Sequence, residues 1–543
     1  MPPPPNFTHI TRREGGLHHT LSSGQISMIA IGGAIGTGLF LGSAFAIGFA
    51  GPSVLLSYTV GALIALLLMG CLAEMTVAHP TSGSFGAYAE VYLSPLAGFL
   101  VRYAYWSAVV LAVGTEVTAI AVYMRLWYPS VPGTVWILGF SAALIAVNAA
   151  NVKVFGSVEY GFSLFKILAI AAFILVGGYV ILAAPASSGI GLANFRSHGG
   201  LFPHGLWGTW VAVIVAIFSY FSVEMVAVAA AEARDPQRAI TRAFRATVLR
   251  LIFIYLLSLA VMLAIVPWDM AGNTARNQPA AQPAAQSSAQ SGAQSSDQAG
   301  AQSSAQSGAQ SSDQAGAQSS DQAGAQSSAQ TGTSSSAQSG PEAALTSSPF
   351  VKVAAFTHLP YAAGILNLVV LIAALSAMNS QIYITTRMMF SLSRAGFAPR
   401  RFGALNRRGV PLPALLLSTL GIALATVLNL LFPATAFTLM MSVSMFGAIF
   451  TWLMIFVTHL RFRRAHASTP LAFRMPGAPY TTFTGIALLS ALLLTTPFTP
   501  AFRLTLVYGL PFLATLTAIF LVRYRHPESS TLEAPASSRN IST

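Results

Sequence analysis

Charged residues are scarce in this chain, and their scarcity restricts the class of protein. Asp, Glu, Lys and Arg make up 8% of the 543 residues, whereas soluble domains carry about 25%. Hydrophobic residues make up 54%, and the mean hydropathy is +0.65. This composition excludes an ordinary soluble domain and predicts an all-α integral membrane protein that lies in a lipid bilayer.

Groups that bind metals or catalyse reactions are also lacking. The single cysteine, Cys71, lies in an apolar run, which excludes an intrachain disulfide and a metal site built from cysteines. The ten histidines are scattered without ligand spacing. No nucleophile, base and orienting acid form a pattern that indicates hydrolysis. We therefore expect neither an enzyme nor a metal or cofactor site.

Positive charge exceeds negative charge, and the formal net charge is +13. The basic residues stand in short clusters between apolar segments and form no basic domain, so we expect no nucleic-acid partner. If the apolar segments alternate across a membrane, most of the 28 Lys and Arg residues fall on one side. This bias predicts that both termini are cytoplasmic and that the protein crosses the cytoplasmic (inner) membrane many times.

Apolar segments long enough to span a bilayer predict twelve transmembrane helices. They lie at about 25–49, 54–78, 98–126, 134–152, 158–184, 208–232, 246–267, 358–386, 411–432, 436–460, 481–499 and 502–523. The predicted organisation is a cytoplasmic tail at 1–20, helices 1–7 at 21–270, helices 8–12 at 349–525 and a cytoplasmic tail at 526–543.

Residues 271–348 differ from the rest of the chain in composition. They consist mainly of Ala, Gln, Ser and Gly, and one eight-residue unit recurs at 293–300, 309–316 and 317–324. Such a segment has too little apolar surface to offset the entropy lost on ordering. We interpret it as a disordered, low-complexity external loop with no role in the main function.

The first candidate site is a glycine-rich interruption of the first apolar segment, within Gly32–Phe40. Glycine is a poor helix former, and backbone groups freed inside a membrane are tolerated where they line a cavity or meet a ligand. The interruption at residues 35–38 therefore suits an anionic group such as a carboxylate. The same glycines also fit a pattern for close helix packing, and the sequence favours neither interpretation.

A second interruption is expected in the sixth segment, where polar and aromatic residues stand together from Phe218 to Glu224. A carboxylate such as that of Glu224 costs about 2.5 kcal/mol or more there, unless it faces a cavity, a partner or a proton. A protonated acid hydrogen-bonded between helices is the alternative interpretation. Interruptions in the first and sixth segments fit an inverted repeat of five plus five helices with a substrate between them.

Two further charged side chains lie inside predicted spans. Lys166 has apolar sequence on both sides, so we do not expect it to reach the interface. It is a candidate proton carrier, or a fixed charge where another protein would hold a sodium ion. Glu116, in the third segment, is a weaker candidate for proton coupling because pairing within the helix bundle would also explain it.

Several blocks of sequence carry a family resemblance. They are Gly32–Phe40, Leu72–Met75 followed by Pro80–Phe85, Asn151–Gly156, Phe218–Glu224 and Met378–Pro399. Through these blocks the chain resembles the amino acid permeases of the amino acid–polyamine–organocation superfamily. The resemblance is strongest to the bacterial branch that includes γ-aminobutyrate, lysine, aromatic and proline permeases.

The resemblance implies a leucine-transporter-like fold, with a 5+5 inverted repeat, broken helices 1 and 6, and two further helices. It implies that the first break holds the carboxylate of an amino acid and that the second break holds its amino group. The substrate-binding residues implied are Ile35, Gly36, Thr37, Gly38, Phe218, Ser219 and Phe221. Lys166 matches a lysine that replaces a sodium site in proton-coupled relatives, and Glu224 matches an acid tied to coupling.

The chain departs from the family pattern at two positions near these sites. Ser222 stands where relatives commonly have glycine, which could narrow the pocket or stiffen the break. Arg102 stands where relatives usually have a small residue, and we expect an interfacial role for it.

The expected function is secondary active transport, in which an amino acid enters with a proton by alternating access. Two alternatives stay open at this point. One is an exchanger that swaps an amino acid for its amine product, and the other, from a different class, is a membrane sensor of amino acids. The sequence does not set the preference for one substrate side chain.

Overall fold

Helices dominate the computed structural model of this protein. It describes residues 7–33, 35–185, 188–235, 237–238, 240–241, 243–244, 253–272, 348–357, 361–432 and 436–524. Within these ranges the only β-structure is an isolated bridge between Leu21 and Ala233, which confirms the all-α prediction there. The loop predicted at 271–348, apart from its end residues, and the tail predicted at 526–543 lie outside the described residues.

The helix bounds in the first part of the chain are as follows. They are α1 (Thr8–Arg13), α2 (Ser23–Gly32), α3 (Ser43–Ala50), α4 (Val54–Ala78), α5 (Ser84–Tyr92), α6 (Pro95–Met124), α7 (Gly133–Ala150), α8 (Val152–Ala183), α9 (Gly205–Tyr220) and α10 (Met225–Ala229). A π-helical turn over Gly38–Gly42 leads into α3.

The second part begins with α11 (Ser258–Ile265), which follows a π-helical turn over Phe253–Leu257. The other helices are α12 (Trp268–Ala271), α13 (Pro349–Thr357), α14 (Ala362–Arg394), α15 (Leu412–Ser418), α16 (Leu420–Leu431), α17 (Ala436–Ala465), α18 (Tyr480–Thr495) and α19 (Arg503–Arg523).

Local sequence explains where two of the helices that surround the candidate site begin. Ser22 and Gln25 form a capping box before α2, because the Ser22 hydroxyl accepts the Gln25 amide at 3.2 Å and the Gln25 side chain accepts the Ser22 amide at 3.0 Å. At α8, the Asn151 side chain accepts the Val154 amide at 2.9 Å. Each cap satisfies backbone donors that have no partner within the helix.

Ten segments of the described residues are long and apolar enough to cross a membrane, so the chain is a multi-pass membrane protein. One of these segments, Gly38–Ala78, contains the second half of the first predicted span and the whole of the second. The first half of the first predicted span lies in α2, which is only 10 residues long and does not count as a separate segment. Of the predicted seventh span, residues 253–267 are described, and the apolar helix among them, Phe253–Ile265, is shorter than a bilayer span. Twelve transmembrane helices and a 5+5 repeat therefore stay predictions.

Burial separates inner helices from helices that face outward. The most apolar stretch of Gly205–Glu232 is entirely buried, and α6 packs along both α14 and α17. In contrast, Leu175, Tyr179 and Leu182 lie one turn apart on α8 and are 73%, 72% and 88% exposed. An apolar stripe of this kind suits contact with lipid. The buried helices carry most of the candidate site, and α8 contributes Lys166 from its buried face.

The N-terminal residues 7–21 pack against one end of the bundle. The carboxylate of Glu14 is buried and accepts a hydrogen bond from the Thr81 hydroxyl. It also accepts the Gly83 amide at 2.6 Å and the Ser391 hydroxyl at 2.7 Å. These contacts attach the tail to the segment before α5 and to the end of α14.

Ion pairs reinforce this attachment. Arg13 donates two hydrogen bonds of 2.9 Å to Glu90, and the buried Arg102 lies 2.8 Å from Glu90 and 3.5 Å from Glu14. Burial opposes ionisation of Glu90, but its contacts with both arginines outweigh that effect and hold the pKa of Glu90 below its ordinary value. We call Arg13, Glu14, Glu90 and Arg102 the N-terminal network.

Candidate functional site

The first predicted break separates α2 from the π-helical turn at Gly38. Its backbone is bound by side chains from other helices. The Ile35 carbonyl accepts a hydrogen bond of 2.9 Å from the Lys166 amine, and the Thr37 amide donates one of 3.4 Å to the Glu116 carboxylate. The break thus brings together four residues that were predicted to act in binding or coupling, namely Ile35, Thr37, Glu116 and Lys166.

Lys166 belongs to a buried polar chain that extends from α8 to α14. Its amine donates to the Ser376 hydroxyl at 2.8 Å, and this hydroxyl donates to the Glu159 carboxylate at 2.5 Å. Asn379 donates to the second oxygen of Glu159 at 3.0 Å. Sequence reasoning missed Glu159, although it precedes Lys166 by two helical turns on α8, a spacing that places both side chains on one face.

Glycine at two positions of the first break permits close approach. A Cβ atom at Gly36 would lie 2.7 Å from the Ala377 Cβ, and one at Gly38 would lie 2.7 Å from the Ser219 Cα. Real Cβ contacts are essentially never shorter than 3.0 Å. Close helix packing, which is the alternative interpretation of the glycines in this segment, therefore requires glycine at both positions. These close contacts lie at the break itself.

The second predicted break separates α9 from α10. Phe221 is extended, with ψ 146°, and Ser222 has a φ of 80°, in the left-handed region that favours glycine. Ser222 is one of the two positions at which the sequence resemblance predicts a departure from the family pattern. The serine hydroxyl is buried and makes no hydrogen bond within the described residues, so no contact of the side chain explains the departure.

Glu224 stabilises the second break from inside the same segment. Its carboxylate accepts the Ser222 amide at 3.2 Å, the Tyr105 hydroxyl at 2.6 Å and the Trp452 indole N–H at 3.0 Å. The residue is fully buried between α6 and α17. The alternative interpretation of Glu224, a protonated acid hydrogen-bonded between helices, agrees with the position between helices, but these contacts do not show a proton on the acid.

The two breaks are in direct contact. The Ser219 hydroxyl donates to the Gly38 carbonyl at 2.6 Å and lies 2.9 Å from the Tyr58 hydroxyl. The Tyr255 hydroxyl donates to the Ser219 carbonyl at 2.9 Å. Both interruptions, which are about 180 residues apart in the sequence, therefore form one region of the fold.

A small cavity of about 10 Å³ lies where the breaks meet, with room for roughly one water molecule. It is lined by Gly33, Gly36, Gly38, Glu116, Phe218, Ser219, Phe221, Ala377 and Gln381. Six of these were predicted site residues. Ala377 and Gln381 were missed because nothing in the sequence indicates which face of α14 meets the breaks.

Four predicted residues lie around the cavity and do not line it. Ile35 and Thr37 present their backbone to Lys166 and Glu116, as described above, and the Thr37 side chain is buried. The Lys166 amine donates to the Ile35 carbonyl of the first break, and the Glu224 carboxylate accepts the Ser222 amide of the second break. In the described part of the chain, no group of three or more His, Cys, Asp or Glu could hold a metal ion.

Comparison with known proteins identifies the family. The family described as "Amino acid permease" matches residues 25–524. The chain is 32% identical over 531 residues to the "Uncharacterized amino acid permease YtnA" of Bacillus subtilis (strain 168), a match that covers 97% of this chain and 98% of that protein. It is 32% identical over 497 residues to the "Aromatic amino acid transport protein AroP" of Shigella flexneri, which covers 91% and 93%.

The AroP protein of Escherichia coli (strain K12) matches to the same extent, at 32% identity over 497 residues. These matches cover nearly the whole chain and include both helix breaks, so the resemblance predicted from the sequence blocks is confirmed. The chain belongs to the amino acid permease family and is a membrane transport protein, not an enzyme.

Proposed function

We propose that this protein is a secondary active transporter that takes up an amino acid together with a proton. The observation that carries the proposal is the convergence of both helix breaks on one cavity, lined by Gly36, Gly38, Phe218 and Ser219. A zwitterionic amino acid needs hydrogen-bond donors and acceptors close together. Two broken helices that face each other supply both from their backbones.

The first break would bind the carboxylate of the substrate. Its glycines leave backbone N–H groups accessible, and the partial positive charge at the start of a helix favours an anion. The second break would bind the amino group through carbonyl oxygens of Phe218, Ser219 and Phe221. The aromatic rings of Phe218 and Phe221 line the same cavity and would form a wall of the site.

Proton coupling follows from the position of Glu116. Its carboxylate accepts the Thr37 amide, a donor that the substrate carboxylate would also use. Two ionised carboxylates at one donor repel each other, so substrate binding there favours a proton on Glu116. Binding of an amino acid and of a proton would thereby support each other, which symport requires.

Lys166 would keep the first break in the shape that binds substrate. It contacts the Ile35 carbonyl, two residues from the Thr37 amide that Glu116 accepts. A proton that moves between Glu116 and the Lys166–Glu159 chain would change the hydrogen bonds to both Ile35 and Thr37 of the first break. Glu224 is the third proposed coupling residue, since it binds the other break.

Alternating access would open the site to one side of the membrane at a time. The cavity of about 10 Å³ is too small for any amino acid, so this conformation must open to admit one. At the end of the bundle where residues 7–21 pack, Glu14 of the N-terminal network is hydrogen-bonded to Gly83 and Ser391. We propose that this side faces the cytoplasm, as the positive-inside bias predicts, and that the network separates when substrate is released inward.

The test is uptake of radiolabelled amino acids into proteoliposomes with an inward proton gradient and no sodium. Because AroP is named as an aromatic amino acid transporter and Phe218 and Phe221 line the cavity, aromatic amino acids belong in the panel. We compare the wild type with Lys166→Ala, and use Lys153→Ala as the matched control. Lys153 is on the same helix but exposed.

Concentrative uptake that is lost in Lys166→Ala and kept in Lys153→Ala would support the proposal. Uptake only into liposomes preloaded with an amino acid would instead identify an exchanger. Binding without any movement of substrate would identify a sensor. Either of these results would overturn the proposed proton symport.

A further inference from the structure

We infer that Gln381 determines substrate specificity, by favouring amino acids whose side chain carries an uncharged hydrogen-bond donor. Such donors are hydroxyl, amide and indole groups. The inference rests on the proposed function, because it assigns the part of the cavity that is left for the side chain of a bound amino acid.

Gln381 lines the cavity from α14, one helical turn after Ala377. The side chain is only 5% exposed, and its carboxamide oxygen makes no hydrogen bond within the described residues. Buried polar atoms in proteins are nearly always paired, and an exception calls for an explanation. A ligand that donates a hydrogen bond at this point would provide the missing partner.

The neighbouring carboxylate sets the direction of the amide group. Gln381 and Glu116 line the same cavity and interact with each other. The carboxyl group of Glu116 keeps an acceptor oxygen in both its ionised and its protonated form, so the Gln381 amide turns its NH₂ group toward Glu116. The carboxamide oxygen is then presented as an acceptor, and a substrate group that can only accept finds no partner there.

One wall of the cavity remains for the side chain of the substrate. In the proposed binding mode, the backbone of the substrate occupies the walls formed by Gly36–Gly38 and Phe218–Phe221. The remaining wall contains Gly33, Ala377 and Gln381, of which only Gln381 carries a polar side chain. A side-chain carboxylate would face both the Gln381 oxygen and Glu116, so acidic substrates should be rejected.

The experiment uses pairs of amino acids that differ by one hydroxyl group, namely threonine against valine and tyrosine against phenylalanine. Each is measured as a competitor of one labelled substrate in proteoliposomes that contain the full chain. We expect the wild type to prefer the hydroxyl member of at least one pair by about tenfold or more, because an unpaired buried acceptor penalises the analogue. In Gln381→Met, a variant of similar length without the carboxamide, this ratio should fall to within about twofold.

The matched control is Ser380→Ala. The Ser380 side chain is also buried, but Ser380 does not line the cavity. We expect this variant to keep the wild-type ratio. A ratio that falls equally in both variants would mean that local packing, and not the carboxamide, sets the preference.

The wild type alone can overturn the inference, so it does not depend on a variant that folds. If it transports amino acids but treats both members of every pair alike, Gln381 does not act as inferred, although the proposed function stands. A ratio that survives in Gln381→Met overturns the inference as well. If no amino acid is transported at all, the proposed function fails first.

Discussion

The two helix breaks differ in how they are stabilised. The first contains glycines and is bound by Lys166 and Glu116, which come from α8 and α6. The second has no glycine from Phe218 to Glu224 and is bound by Glu224 from within its own segment. A break that depends on distant helices changes shape when those helices move. The second break depends less on distant helices, because Glu224 binds it from the same segment, so we assign coupling mainly to the first.

The largest effect is expected from Gly38→Ala, because the added methyl would lie 2.7 Å from a backbone atom of Ser219. Overpacking at a close contact costs about 1–3 kcal/mol, and here it separates the two breaks. Uptake should fall by about tenfold or more. The control is Gly42→Ala in the same π-helical turn, where a Cβ would meet Val215 at an ordinary 3.6 Å.

Initial rates of uptake measure this difference directly. Nearly normal uptake in Gly42→Ala with severe loss in Gly38→Ala would locate the effect at the contact between the breaks. Equal loss in both would mean that the π-helical turn as a whole is sensitive, and the contact of Gly38 with Ser219 would lose its special role.

Glu116→Gln should separate transport from coupling. The amide keeps the size of the side chain but cannot take up and release a proton. We expect accumulation driven by a proton gradient to be lost, whereas exchange of labelled for unlabelled substrate continues. Measuring both in one preparation of proteoliposomes distinguishes a coupling defect from misfolding. Accumulation at the wild-type level would exclude Glu116 as the coupling residue.

Glu224→Gln should affect stability more than coupling. The carboxylate accepts three hydrogen bonds, and an amide nitrogen in place of one oxygen leaves a buried donor without its acceptor. Loss of such a partner costs about 1–3 kcal/mol. Thermal unfolding in detergent should therefore shift downward, whereas gradient-driven accumulation should fall less than in Glu116→Gln. Loss of accumulation at unchanged stability would instead assign coupling to the second break.

The smallest effect is expected from Ser222→Gly. A residue other than glycine in the left-handed region costs about 1–2 kcal/mol, and glycine adds about 0.5–1 kcal/mol of entropy to the unfolded chain. The net gain in unfolding free energy should be a few tenths to about 1 kcal/mol. Ser222→Ala keeps the strained φ and should show no such gain. A destabilised Ser222→Gly would contradict strain at this position.

Much of this site was predictable from sequence because each break leaves a local signal. Gly36 and Gly38 interrupt an apolar run, and Glu224 places a charge at the middle of another. Glu159 also had a signal in its spacing from Lys166. Local composition and periodicity suffice for such features, since each depends on residues within a few helical turns.

Contacts between distant segments could not be predicted in this way. Gln381 reaches the cavity only because α14 packs beside α6, and its neighbours in the sequence do not indicate that contact. Likewise Glu14 was assigned to a polar tail, yet it is buried against Ser391, 377 residues away. Arg102, expected at an interface, is fully buried in the same network.

The most direct test of the account is an experimental structure with a transported amino acid bound. We predict that its carboxylate lies within hydrogen-bond distance of backbone N–H groups at residues 36–38, and that its amino group contacts carbonyl oxygens of Phe218, Ser219 or Phe221. A substrate bound elsewhere in the protein, or one that contacts only a single break, would contradict the claim that the two breaks form one site.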